Sequence, residues 1–306
     1  MNPYYNVYTM KYSRRQFIGT AIAGVGAALF SACDPGNYDP YDIVEIGKTG
    51  IRTTRLSMGT GIRAGNRQSA LTRMGQEQAV KLVREIYERG VRVFDLADSY
   101  GTHDYVSEAL KIYPRSDYVI ITKLLPRQRQ DDEGLPPEAE AEAEVKRFLE
   151  ELKMDYIDVL QLHGWGFSGS WNTDHSEYMT ALDKMKQRGI IRAHGLSSHS
   201  LNAIETAVNE PWVDVMHVRI NAYGVNMDDT VEKVEPVLKQ LYQAGKGVIA
   251  MKVLGEGAFA DNEEQKDHTF KYVLHLNAVD VMTVGADKIS DIADTESRIR
   301  KVSKAG

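Results

Sequence analysis

Four residues have side chains whose types suit general acid–base chemistry: Asp95, Tyr100, Lys123 and His163. A free phenol titrates at about pH 10, too high for an efficient acid or base near neutrality. A neighbouring ammonium favours the phenolate and lowers that value. Lys123 could supply the ammonium, Asp95 could pair with Lys123 and keep it charged, and the His163 imidazole could donate a hydrogen bond to a reacting oxygen. Singly, each has a commonplace explanation: a strand-end Asp often caps a loop, a lone Lys snorkels, and a lone His is usually a structural hydrogen bonder. Here all four fall at the ends of short β-branched runs, which is harder to explain by chance.

What must position them is a unit that recurs from Val44 onward: a β-branched run, an amphipathic stretch, then a Gly or polar turn. Strands are predicted at 55–60, 91–97, 118–123, 156–163, 191–197, 213–221, 247–252 and 279–285. Between them apolar residues recur at helical spacing. Ala79, Leu82, Val83, Ile86 and Tyr87 make one face, and Val145, Phe148, Leu149 and Leu152 another, with acidic residues from Glu138 to Glu144 at its start, where the helix dipole favours them. Leu201, Ile204 and Val208 follow Ser200, a predicted N-cap, and Val231, Val234, Leu238 and Leu241 make a further face. Alternating strands and helices predict one α/β domain, a closed (β/α)8 TIM barrel. An open doubly wound sheet is the rival, but no Gly-rich phosphate loop follows the first strand. Barrel enzymes work at the carboxyl ends of their strands, where these four residues fall.

The segment Phe94-Asp95-Leu96-Ala97-Asp98-Ser99-Tyr100-Gly101 resembles the aldo/keto reductase signature around its catalytic Asp and Tyr. Thr122-Lys123 and Leu160-Gln161-Leu162-His163 resemble the family's Lys and His segments. The opening from Ile46 to Thr60 and the run Gly195-Leu196-Ser197-Ser198 are similar as well, so the likeness spans roughly Val44 to Thr295. It implies hydride transfer between a nicotinamide cofactor and a small carbonyl substrate. Tyr100 would be the acid, Lys123 would lower its pKa, Asp95 would hold Lys123, and His163 would orient the substrate oxygen. Cofactor contacts are implied at Gly59, Thr60, Ser197, Ser198, His217, Met251, Lys252, Leu254 and Lys288.

The sequence departs from that pattern in places. Ser198 stands where Asn is common, and His217 where Gln is usual. Met251 replaces a Tyr that stacks on the nicotinamide, offering a soft thioether face or simple core packing. In the eighth strand region Gly285 and Asp291 stand where NADP-binding members carry Lys and Arg. An Asp there would repel a 2′-phosphate, so the cofactor is read as NAD or NADP, leaning to NAD, unless Lys252 and Lys288 compensate. After the fourth strand, Trp165, Phe167 and Trp171 interleave with Gly and Ser and are expected to form an apolar pocket wall, Trp165 above all because it lies two residues from His163, with a loop that folds its aromatics onto the barrel rim as the alternative. His194, His199 and His217 lack a spaced carboxylate partner, so no metal is expected.

The net charge of −6 and the absence of a Lys/Arg-rich block leave nucleic-acid binding without an electrostatic footprint. The single cysteine, Cys33, allows neither an intramolecular disulfide nor a Cys-based metal site. Residues 1–33 read as an export signal: Arg14-Arg15, an uncharged run rich in Gly and Ala, then Leu29-Phe30-Ser31-Ala32-Cys33. The arginine pair resembles a twin-arginine signal, and the end resembles a lipoprotein cleavage site with Cys33 as lipid acceptor. Met10 is an alternative start. Gly24-Val25-Gly26 follows no strand and is not a nucleotide loop. The reading is therefore a signal at 1–33, a flexible tether at 34–43 and a barrel at 44–306, with the protein exported to the cell envelope or periplasm and anchored to a membrane by lipid on Cys33. The oligomeric state is not specified by the sequence. A nicotinamide-binding barrel acting as a membrane sensor or partner subunit is the alternative function. A barrel hydrolase would need a second carboxylate or a metal in place.

Overall fold

The computed structural model describes residues 36–126, 134–164 and 166–305. A short hairpin comes first, β1 (Ile43–Glu45) paired antiparallel with β2 (Arg52–Thr54). Eight further strands follow: β3 (Leu56–Gly59), β4 (Val93–Asp95), β5 (Val119–Leu124), β6 (Ile157–Gly164), β7 (Ile191–Ser198), β8 (Val215–Arg219), β9 (Gly247–Met251) and β10 (Val281–Gly285). They pair in chain order and β10 returns to β3, closing a parallel barrel. Around it run α1 (Ala70–Arg73), α2 (Gln76–Arg89), α3 (His103–Leu110), α4 (Pro137–Leu152), α5 (Trp171–Asp174), α6 (Ser176–Gln187), α7 (Leu201–Asn209), α8 (Val231–Gln243), α9 (Glu263–His275) and α10 (Ile289–Lys301). The (β/α)8 barrel expected from the alternating pattern is the fold.

Strand residues divide by parity, because successive side chains point to opposite faces. Phe94, Leu96, Ile120, Leu160, Leu162, Leu196, Met216 and Val248 face outward and pack with Val83, Ile86, Phe148, Ile204 and Leu238 of the helices. Burying each such side chain contributes about 1.5–3 kcal/mol. Both faces are covered, which is why β5 and β6 are buried throughout. The inward set begins with an apolar layer of Val93, Val119, Ile121, Val159, Ala193, Val215, Ile249 and Val281. Ile46 and Ile51, which flank the hairpin turn, join this layer and are fully buried. The hairpin thus closes the amino end of the barrel and leaves the carboxyl end for chemistry. Its turn fits tightly: a Cβ on Gly47, whose φ is +53°, would lie 2.2 Å from the Gly247 nitrogen.

Two expectations change, and one element is new. The hairpin was not foreseen. The segment read as a flexible tether is docked from Asn37 onward: Tyr38 N donates to Val302 O at 2.9 Å, Leu56 N to Pro40 O at 2.9 Å, and Arg300 Nε to Asp39 Oδ2 at 3.1 Å. Ser200 sits at the N-cap of α7 in extended conformation, yet its side chain makes no capping hydrogen bond. The signal expected at 1–33, with Cys33, lies outside the described residues. Among the described residues no helix is long and apolar enough to cross a membrane.

Candidate active site

Above the apolar layer the inward positions turn polar. Asp95 ends β4, and Lys123, His163, Ser197 and His217 sit at inward positions of β5, β6, β7 and β8. Register places His163 beside Ser197 and Ser197 beside His217. Lys123 is fully buried; its ammonium donates to Asp95 Oδ1 and, at 2.9 Å, to Leu96 O. His217 Nε2 lies 3.5 Å from the same Asp95 oxygen. Burial works against ionisation of Asp95, but Lys123 and His217 outweigh it and hold the carboxyl well below the usual range. Burial pushes the Lys123 ammonium down, and Asp95 pulls it back. The pair stays ionised because each charge compensates the other in a place water does not reach.

Tyr100 arrives from a one-turn 3₁₀ helix, Asp98–Tyr100, that closes on Gly101 in the left-handed region. Its ring lies over the Lys123 ammonium, 5.4 Å from centroid to Nζ. Gly61 makes room for it: a Cβ there would stand 2.6 Å from two ring carbons of Tyr100. Behind the turn is a charged clamp. Arg147 of α4 donates to Asp98 Oδ1 at 2.9 Å and to Glu151 Oε1 at 2.8 Å. Arg67 donates to Glu151 Oε1 at 2.7 Å, and its backbone nitrogen to Ser99 O at 2.9 Å. His103 bridges Glu151 Oε2 at 2.8 Å and Thr122 Oγ1 at 2.7 Å.

The protonation states differ from the sequence expectation in one respect. Lys123 was expected to acidify Tyr100. Burial instead pushes the phenol well above its ordinary value, and the negative charges of Asp95 and Glu256 add to it. Lys123 is engaged by Asp95, and its ammonium lies 5.4 Å from the ring centroid. His163, whose ring stands edge-on to Tyr100 at 6.0 Å and 89°, is pushed down to about 3 by burial, with Lys123 and His199 adding. It is therefore a neutral imidazole at physiological pH. The site holds a neutral phenol and a neutral imidazole beside a paired ammonium, an arrangement suited to giving a proton to an oxygen.

The family model for the aldo/keto reductase family matches residues 55–298. The chain belongs to the aldo/keto reductase family. An L-galactose dehydrogenase of Arabidopsis thaliana is 29% identical over 231 residues, which is 73% of this chain and 68% of that protein. An aldo-keto reductase from Pseudomonas aeruginosa shares the fold with TM-score 0.68 at 21% identity, over 86% of this chain and 97% of the other. One from Klebsiella pneumoniae, solved with NADP and acetate, gives TM-score 0.62 at 17% identity, over 86% and 91%.

As an aldo/keto reductase the chain is an oxidoreductase, and its implied cofactor residues can be placed. Ser197 faces inward. Ser198 has the opposite parity and is fully buried, and its hydroxyl has no hydrogen-bond partner among the described residues. Thr60 donates its hydroxyl proton to Asp95 O at 3.0 Å and its oxygen accepts from Thr102 Oγ1 at 2.9 Å, while Gly59 lets β3 approach Thr283 of β10. What the structure shows of both is joining of strand ends. Met251 is partly exposed at the end of β9. Lys252, in the left-handed region at φ 57°, pairs with Glu256 Oε1 at 2.5 Å. Leu254 packs against the outer core. Lys288 precedes α10 with a side chain 74% exposed, and Asp291 caps that helix, accepting from Asp287 N at 3.0 Å and Lys288 N at 3.2 Å.

The expected pocket wall is not confirmed. Trp165 lies outside the described residues. Phe167 turns onto Gly164, stacks with Trp171 at 6.4 Å and meets His175 at 4.6 Å, so its contacts are rim packing. Trp171 is buried and donates to Ala203 O at 3.1 Å. His194 stacks on Trp212 at 4.3 Å and bonds Asp183 at 2.8 Å, a structural role. Sequence reasoning missed Gly61 and the clamp behind Tyr100. Glu144, Arg147 and Glu151 do show helical charge spacing, but nothing local reveals that Arg147 also reaches Asp98.

Proposed function

We propose that this reductase transfers a hydride between a nicotinamide cofactor and a small carbonyl or alcohol, with Tyr100 as general acid/base. The observation that carries the reading is the Lys123–Asp95 pair, buried at the working end of the barrel under the Tyr100 ring with the His163 ring edge-on beside it. In the reducing direction His163 donates a hydrogen bond to the carbonyl oxygen and orients it. Tyr100 passes its phenolic proton to that oxygen as hydride reaches the carbon, and the alcohol leaves. The phenolate formed lies beside Lys123, which stabilises it, and solvent returns the proton. When bound, the nicotinamide supplies the hydride.

The residues present fit such a group. The inward Ser197 and the orphaned hydroxyl of the adjoining Ser198 at the end of β7 suit a carboxamide, and Met251 at the end of β9 offers an apolar side chain at the same rim. NAD is the preferred form in this reading. Asp291 occupies the α10 amino terminus, where a phosphate would otherwise be drawn, and Lys252 is already paired with Glu256. Steady-state oxidation of NADH and NADPH with an aldehyde panel tests both points. Tyr100→Phe should lower kcat by about 10²–10⁴, and NADH should bind at least as tightly as NADPH. Equal activity of the Phe variant contradicts the acid assignment, and strong NADPH preference contradicts the NAD assignment.

The chain is further proposed to be exported by the twin-arginine route with its cofactor bound, and held at a membrane by lipid on Cys33. Arg14-Arg15 and the Cys33 context support this. Cys33→Ser should move the protein from the membrane to the soluble fraction, and unchanged membrane recovery contradicts the anchor.

A further inference from the structure

We infer that His217 is a positioning residue of this site, donating from Nε2 to Asp95 and sharing with Lys123 the carboxylate on which the tetrad is built. The inference rests on the proposed reductase reading. The resemblance placed His217 at the nicotinamide, where Gln is usual. In the structure the ring is fully buried, and Nε2 lies 3.5 Å from Asp95 Oδ1, the oxygen that also takes Lys123. That distance is the outer edge of hydrogen-bond reach. Neither ring nitrogen makes a hydrogen bond of good geometry among the described residues, and the Asp95 carboxylate is the acceptor that faces Nε2, at ion-pair distance. Register seats His217 between Ser197 of β7 and Ile249 of β9, so apolar surface lies on its β9 side.

The consequence follows from charge. Asp95 carries one negative charge and has two claimants. A donor from His217 satisfies part of the carboxylate, which weakens its pull on the ammonium and its negative field at Tyr100. The ammonium then keeps more of its positive field for the phenol ring, 5.4 Å away. Without that donor Asp95 is answered by Lys123 alone, and the developing phenolate is less stabilised. A Gln at 217 could still donate through its amide, whereas a Leu of similar bulk could not.

The full chain tests this by two routes. In kinetics, His217→Leu should lower kcat about tenfold, the rate equivalent of one hydrogen bond to a charged group, while nucleotide Kd stays unchanged. His217→Gln should recover most of the loss. A tenfold weaker nucleotide Kd with kcat preserved would make His217 a cofactor contact and overturn the proposal, as would a Leu variant unchanged in both. The second route needs no turnover. In nitrogen-labelled protein, the imidazole signals that vanish in His217→Gln should report the neutral Nε2–H tautomer and should shift in Asp95→Asn. A neutral Nδ1–H tautomer, or no response to Asp95→Asn, overturns the proposal even if His217→Leu fails to fold. If the wild type and Tyr100→Phe turn over equally, the reductase reading fails, while the tautomer still reports on the His217–Asp95 contact.

Discussion

Tyr100 keeps its proton for a reason its neighbours in sequence did not reveal. The residue types Asp95, Tyr100, Lys123 and His163 were legible because each closes a β-branched run. Their electrostatics were not, because burial is a property of the whole barrel. Burial, then Asp95 and Glu256, hold the phenol neutral, so it carries its proton at physiological pH. Gly61 was equally invisible, since a glycine after a strand announces nothing about what lies against it. A Cβ there would stand 2.6 Å from the Tyr100 ring. Gly61→Ala should push the ring off the Lys123 ammonium and lower kcat by about ten- to a hundredfold, as misplacement of about 1 Å does elsewhere, with the unfolding midpoint little changed. Steady-state kinetics beside thermal unfolding checks this, and an unchanged kcat would show that Tyr100 tolerates displacement.

At the scale of elements, period and parity carried most of the information. The strand ending in Lys123 was predicted at 118–123 and forms as Val119–Leu124; the strand predicted at 213–221 is shorter, Val215–Arg219. The hairpin escaped because its strands have three residues each, too few for an alternation to register. The docking of residues 37–42 escaped because two of its partners, Val302 and Arg300, stand at the far end of the chain. Ile46 and Ile51 show what the hairpin contributes: both are fully buried in the barrel's lower layer, at the end opposite Tyr100. Ile51→Ala should destabilise by about 2–5 kcal/mol in urea unfolding while kcat of the folded fraction is retained. A loss under about 1 kcal/mol would show that the lower layer repacks without it.

For the molecule as a whole, buried imidazoles contribute to the response to acid, beside carboxylates such as Asp95 and Glu151 that their cationic partners hold low. His163 is pushed down to about 3 and His199 to about 4, in both cases first by burial. Free histidine titrates at about 6.5. Between that value and the folded values the unfolded chain binds more protons than the native one, so stability falls as pH falls. The contribution is fully present above about pH 6.5 and is lost progressively toward the folded values. Thermal unfolding should therefore show a midpoint that drops on acidification below about 6.5, with a shallower drop in His163→Asn. An unaltered acid slope in that variant would mean that His163 is not buried as a neutral ring. The same neutrality leaves activity without an inflection near the free imidazole value.

The proposed transfer of hydride to a carbonyl at the Asp95–Lys123–Tyr100–His163 site is most directly read in a single turnover, using a nicotinamide that carries deuterium as its transferable hydride. The wild type should place one deuterium on the carbinol carbon of the product alcohol, and Tyr100→Phe should do so about 10²–10⁴ more slowly. A product free of deuterium, or labelled at equal rates by both proteins, would show that this site does not perform the reaction.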